Sequence, residues 1–425
     1  MQPNKLKLSV LAAALMTLTF NSYADSVSVT MEQKLEQLQK EMMALKQQMA
    51  DEKIARAQQV DSAVKTAVAG IDTDVSKTTI GGYGEAVYNN YRDASKKDEA
   101  DLKRFVLFFG HRFTDKLRLY SEVEIEHALV ESGQGELAME QAFIEYGLTP
   151  SVNLRTGLML MPLGFLNETH EPPTFYGVER NEVETRIIPS TWRELGAGVQ
   201  GKLLDNALEY NIGVATSLDA SKYASASKGV RDMRSEGFKA AANDLAVYAG
   251  LNYRQPGWTI GSGLFTGNTG QNGLGDTPSA ALEGKAARLV LWDIHSKVAL
   301  GDLELQALYA RGTLGDTLAI NTAAGLALGS DKAAPKSFYG WYGQAAYHVW
   351  KKDDMRLTPF VRYERYNTQS SVDTGYTVNS LNNETVTTVG ANFNLSREVV
   401  LKADWQNYKT DNLKDRVNLG VGYMF

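Results

Sequence analysis

From residue 79 to residue 425 the chain keeps a period of two, and that regularity restricts its fold more than any other feature. In the last eleven residues Val417, Leu419, Val421, Tyr423 and Phe425 fall on one side of an extended strand, with Arg416, Asn418, Gly420, Gly422 and Met424 on the other. Side chains of a strand alternate faces, so this is one greasy face and one polar or small face. The same alternation sets Leu208, Tyr210, Ile212 and Val214 against Glu209, Asn211 and Gly213, and Leu401, Ala403 and Trp405 against Lys402, Asp404 and Gln406. No stretch beyond the amino-terminal region is apolar over the roughly twenty residues a spanning helix needs. A chain of this kind crosses a bilayer only as a closed barrel, where every backbone polar group has a partner.

Turn signals divide this region into strands near 79–91, 102–113, 116–127, 138–148, 151–161, 193–203, 207–217, 244–254, 257–267, 286–300, 302–312, 337–350, 355–368, 384–395, 398–409 and 415–425. The connections sort by length. Those after the even-numbered strands are tight (Thr114-Asp115, Thr149-Pro150, Gln255 to Gly257, Gly301), whereas long Gly- and Asp-rich tracts follow odd-numbered ones at 218–243, 268–285 and 313–336. Short turns at one end and long loops at the other are the mark of an outer-membrane barrel, and a sandwich or propeller has no reason to segregate them. The expected fold is therefore an all-β transmembrane barrel of about sixteen antiparallel strands. Tyr423, Tyr253, Trp258, Trp350 and Tyr120 are candidates for its interfacial girdles, and the terminal Phe425 for recognition by the barrel-assembly machinery.

The beginning reads differently. Lys5 and Lys7, the apolar run Leu8 to Phe20 and the small residues Ser22 and Ala24 predict a signal peptide over 1–24. From 25 to 78 a periplasmic coiled coil and linker are expected, because Met31, Leu35, Leu38, Met42, Leu45 and Met49 recur at spacings of four and three as a heptad seam. The barrel domain then occupies 79–425. Removing Lys5 and Lys7 leaves 42 basic against 50 acidic residues, which moves the formal charge from −6 to −8. An acidic chain with no basic block gives no footing for nucleic acid. Without cysteine there is no thiolate nucleophile, disulfide or thiolate metal site.

Candidate functional residues come from the inner face. Leu117, Leu119, Val123 and Ile125 facing lipid put Arg118, Tyr120, Glu122, Glu124 and Glu126 into the lumen, joined by Gln141, Glu145 and Arg155 from neighbouring strands. Carboxylates two residues apart on one wall focus a negative potential and favour cations, although most lumen charges serve only to keep a channel wet. The connection from Pro162 to Thr191 is far longer than a structureless loop, which marks it as functional. Pro172-Pro173 stiffens it and Gly177 permits a turn. It carries Glu168, His170, Glu171, Arg180, Glu182, Glu184 and Arg186, and is expected to fold inward and set the narrowest cross-section.

Enzyme readings find no support. His170-Glu171 is followed by Pro172, so there is no zinc-protease helix, and Gly81-Gly82-Tyr83-Gly84 opens a strand instead of a strand-to-helix phosphate turn. The five histidines show no ligand spacing, so no catalytic, cofactor or metal site is expected.

The tract Asn167-Glu168-Thr169-His170-Glu171-Pro172-Pro173-Thr174-Phe175-Tyr176-Gly177-Val178-Glu179-Arg180, preceded by Gly157 to Gly164, resembles the corresponding region of the phosphate-selective porin O/P family. The resemblance covers roughly Ile80 to Phe425, and the heptad region is similar to that of dicarboxylate-type porins with a coiled-coil stalk. It implies a homotrimer of sixteen-stranded barrels in outer-membrane lipid, with the third loop folded inward. Phosphate selectivity does not carry over, because the family's anion-selective members line the lumen with Arg and Lys ladders. Here Arg118, Arg155, Arg193 and Arg362 are scattered among carboxylates. The expected function is a passive channel for small hydrophilic solutes or ions. The alternatives are a substrate-specific channel for phosphate, a dicarboxylate or an oligosaccharide, and a structural tether acting through the coiled coil.

Overall fold

The computed structural model describes residues 77–130 and 135–425. The signal peptide and the seam Met31 to Met49 lie outside the described residues. Among the described residues seventeen strands form one antiparallel sheet: β1 (Thr78–Tyr91), β2 (Glu99–Arg112), β3 (Leu117–Glu126), β4 (Glu136–Thr149), β5 (Val152–Leu160), β6 (Arg193–Leu203), β7 (Leu208–Thr216), β8 (Leu245–Gln255), β9 (Trp258–Gly267), β10 (Leu289–Leu300), β11 (Leu303–Leu314), β12 (Ser337–Tyr347), β13 (Trp350–Lys352), β14 (Met355–Ser371), β15 (Asn383–Asn394), β16 (Val399–Tyr408) and β17 (Arg416–Met424). β12 and β13 flank a break at His348-Val349 and both pair with β14, so together they make one stave. β17 pairs back onto β1 from Tyr83↔Met424 to Tyr91↔Arg416, which closes a barrel of sixteen staves. The carboxy-terminus seals that seam, with the Phe425 N–H donating to the Gly82 carbonyl at 2.8 Å and its ring stacked on Phe105.

The polarity of the wall is inverted relative to a water-soluble protein. Along β16, Leu401 and Trp405 are 41% and 46% exposed, while Lys402, Asp404 and Gln406 are buried. The same holds around the barrel, with Ile212, Val247, Ile294, Val361, Val389 and Leu419 all turned outward. A continuous exposed apolar belt is stable only against lipid. Aromatic pairs border it. Trp292–Tyr309 and Trp341–Tyr363 lie toward the long loops, and Tyr253–Trp258 and Trp350–Phe393 beside the short turns. Tyr120 does not join a girdle, because it stacks on Phe143 inside the barrel. Val389 sits near the middle of the belt, opposite Trp405 and Val361. Val389→Arg is expected to cost ~2–4 kcal/mol and Val389→Leu almost nothing, read from equilibrium unfolding in lipid vesicles.

Inside, the two ends differ. At the long-loop end, Met161, Leu163, Ile187 and Trp192 from the connection between β5 and β6 pack with Leu218 and Met233 from the loop after β7. Leu282 from the loop after β9 and Ile320 from helix α2 (Thr317–Ala323) join the same cluster. Leu289, Leu291 and Phe338 close it from the wall. Loops that sequence alone leaves in water thus fold over one another as a small apolar core. At the short-turn end a cavity bordered by His111, Arg118, Gln141 and Glu145 stays open.

Candidate functional site

The connection between β5 and β6, residues 161–192, is the third long loop and is called L3 here. Its neck is closed by Asn167, whose Nδ2 donates to the carbonyls of Met161 (2.7 Å) and Trp192 (2.8 Å) and whose Oδ1 accepts the Trp192 N–H (2.6 Å). Pro172–Thr174 forms a single 3₁₀ turn, Gly177 takes φ +91°, and Asn181 caps a short helix, α1 (Glu182–Arg186), by accepting the Glu184 N–H. The rigid shape implied by Pro172, Pro173 and Gly177 is therefore built by local chemistry.

L3 runs inside the barrel and is tied to the wall formed by β14 and β16. Lys402 donates to the carbonyls of Phe175 (3.0 Å) and Gly177 (2.8 Å), and Asp404 accepts the Val178 N–H (2.6 Å). Arg362 donates to the Tyr176 carbonyl (3.0 Å), and Glu364 accepts the Val183 N–H (3.2 Å). Inward-facing glycines record the path. A Cβ on Gly422 would lie 2.3 Å from the Pro172 Cβ, and one on Gly340 would lie 2.9 Å from Ile187. The small inner face of the last strand is thus a seat for L3.

Each candidate residue has a definite place. Glu122 and Glu124 face inward but are covered by L3. Arg104 bridges Glu124 (2.9 Å) and Glu85 (2.8 Å), and all three are buried. Glu122 meets Gln141 (2.7 Å) and His170 (3.5 Å). Glu126 is half-buried at the end of β3, opposite Arg104. Arg193, itself buried, pairs with the half-buried Glu236 (3.1 Å), and Arg362 with Glu364 (2.8 Å) in a fully buried pair. Within L3, Glu182 accepts from Tyr408 (2.7 Å) and pairs with Arg186 (2.8 Å), and Arg180 reaches the His170 carbonyl. Glu184 is fully buried. Its Oε2 accepts the N–H groups of Phe165 and Leu166, and its Oε1 accepts from Tyr342 and Asn181. Glu171 is half-buried, its carbonyl accepting from Thr174.

Open space lies beneath L3. Arg118, Tyr120, Glu145, Arg155 and Glu168 line a cavity of about 690 Å³, in which Arg155 pairs with Glu145 (3.3 Å) and covers the Phe143 ring. Glu168 also borders a second cavity of about 510 Å³, opposite Glu209, Arg254 and Lys297. In L3, burial opposes charge on Glu179, but Lys103 and Arg416 hold its carboxyl down at about 2. Burial likewise opposes charge on His170, and Glu140 and Glu122 overcome it and raise the imidazole to about 9.

Sequence reasoning missed the wall residues that receive L3, namely Lys402, Asp404, Glu364 and Glu140. Lys402 and Asp404 were visible as the polar face of their strand, without any sign of what they hold. Glu140 was hidden by a β-bulge. Glu122 pairs with Gln141 and Val123 with Met139, so Glu140 is the unpaired extra residue and points inward beside Gln141.

A closed sixteen-stave barrel with an outer apolar belt and a third loop inside it defines a transmembrane barrel of the porin fold. No family model matches the chain. It is 32% identical over 363 residues to an uncharacterized protein of Aquifex aeolicus, with 82% of this chain and 80% of that one covered, and it belongs to the same family. Among solved structures it is similar to OmpF of Salmonella typhi in complex with daunomycin, at 11% identity and a TM-score of 0.54 over 82% of this chain and 97% of that one. It is likewise similar to the anion-selective porin from Comamonas acidovorans, at 12% and 0.51 over 82% and 99%. The trimer form of the outer-membrane protein OmpT of Vibrio cholerae matches at 10% and 0.50 over 82% and 98%.

Proposed function

We propose that this protein is a passive outer-membrane channel for small hydrophilic solutes or ions, with L3 forming its constriction. The observation that carries this reading is the position of L3. It is bonded to the inner wall through Lys402, Asp404 and Arg362, above cavities bordered by Arg118, Glu145, Arg155 and Glu168. Glu168, exposed to both cavities, is the L3 side chain a permeating solute meets first from the short-turn end. Glu122 and Glu124 are engaged by His170, Gln141 and Arg104, so their field on a passing ion is largely cancelled, and selectivity falls to the mixed group around Arg118, Arg155, Glu145 and Glu168. The protein functions in this reading as a homotrimer in the bacterial outer membrane, with its amino-terminal coiled coil in the periplasm.

Purified protein in planar bilayers is expected to give discrete conducting steps with a small reversal potential in a salt gradient. Silence in such bilayers removes the channel, and a strong cation preference restores the acidic wall as the filter. The alternative, a substrate-specific channel for phosphate, a dicarboxylate or an oligosaccharide, has as its sign saturable block of conductance by that solute.

A further inference from the structure

We propose that Glu122, Glu140 and His170 form a binding site for one divalent transition-metal ion, Zn²⁺ or a close congener, that staples L3 to the wall at β3 and β4. The three residues come from different elements, and a ligand atom of each lies within 4.8 Å of the others. All three are buried, at 1%, 0% and 3% exposure.

The second heteroatom of each group is already committed. His170 Nδ1 is 3.2 Å from the Asn167 carbonyl, which can only accept, so Nδ1 carries the hydrogen and Nε2 is left to face the carboxylates. Glu122 Oε2 accepts from Gln141 at 2.7 Å. Glu140 Oε1 accepts from Thr191 at 2.5 Å, with Arg193 3.8 Å away. This fixing of the outer atoms is the pattern that orients metal ligands. Three atoms then converge: His170 Nε2, Glu140 Oε2 at 3.3 Å from it, and Glu122 Oε1 at 3.5 Å. Glu122 Oε1 is buried without a hydrogen-bond partner.

A neutral imidazole would point a lone pair at two anionic oxygens, so a positive particle must sit between them: the proton that the two carboxylates hold on the imidazole when no metal is bound, or a metal ion that displaces it. The distances match the spacing of a metal's ligands. A charge-assisted N–H···O bond is about 2.7–2.9 Å long. Ligands bonded to zinc at about 2.0–2.1 Å in a tetrahedron stand ~3.3 Å apart. Two carboxylates and one imidazole with no thiolate suit Zn²⁺, Fe²⁺ or Mn²⁺ and leave one coordination position for water. Tyr83 packs edge-on against His170, and its buried hydroxyl, which has no partner, is a donor available to that water. The sequence shows no ligand spacing because L3 delivers the histidine and a bulge turns Glu140 inward.

The test uses binding, which is independent of whether the barrel conducts. Full-length protein in detergent, stripped with chelator and dialysed against micromolar zinc, is expected to retain one zinc per chain. Glu122→Gln and His170→Gln, each verified as a folded barrel, are expected to bind about tenfold or more weaker. Zinc-edge X-ray absorption of the unmutated protein is expected to show a single imidazole nitrogen among oxygen ligands. Failure to retain zinc leaves a proton as the only tie and overturns the site, as does unchanged binding in the folded variants or an edge spectrum without an imidazole.

Discussion

Glu184→Ala is expected to loosen L3 from the barrel at a cost of ~4 kcal/mol, with larger and noisier single-channel currents and new proteolytic cleavage between 161 and 192. Glu184 accepts from two backbone N–H groups near the start of L3, from Asn181 at the cap of α1, and from Tyr342 on the wall. Each buried donor stripped of its acceptor costs roughly 1–3 kcal/mol, less where water enters to replace it. One carboxylate joins both limbs of the loop to the barrel, so its loss is not confined to one contact. Glu168→Ala is the matched control, because Glu168 is exposed to the cavities and its removal should alter current without altering stability. An unchanged unfolding midpoint in Glu184→Ala would show that L3 is held without it.

Arg104→Ala should destabilise the barrel by about 3–5 kcal/mol, as removal of one partner from a buried ion pair does elsewhere. Its guanidinium lies between Glu85 and Glu124, at 2.8 and 2.9 Å, and joins β1, β2 and β3 from within. Without it two buried carboxylates lose the one guanidinium that pairs with both. Adding Glu124→Gln in the Arg104→Ala background is expected to recover part of the loss, and the double-mutant cycle gives the coupling. A loss below about 1 kcal/mol would be the behaviour of a solvated surface pair and would contradict the burial.

Arg104 and Glu184 differ in how far the sequence exposes their roles. Arg104 was not singled out from sequence, since one arginine on an inner face is indistinguishable from another. Glu184 was singled out as part of the loop, but its role as the acceptor for four donors depends on where the wall brings Tyr342. The apolar mouth had a readable sign that strict alternation obscured. Leu289 to Trp292 and Leu158 to Met161 are apolar on both faces, the pattern of a strand covered on both sides.

The amino-acid order alone determines the barrel. Period-two patterning, short turns after even-numbered strands and long tracts after odd-numbered ones are local properties, and lipid outside with water inside is the arrangement that satisfies all of them at once. The heptad seam lies outside the described residues. Tertiary structure alone decides the partnerships across the lumen: Lys402 and Asp404 with the L3 backbone, Arg104 between two glutamates, and Glu122 and Glu140 with His170. Those pairs join residues remote in the chain, and both a one-residue bulge and the course of a thirty-residue loop change which atoms meet. No periodicity encodes either, because they are settled by which buried polar groups find partners once the cylinder has closed.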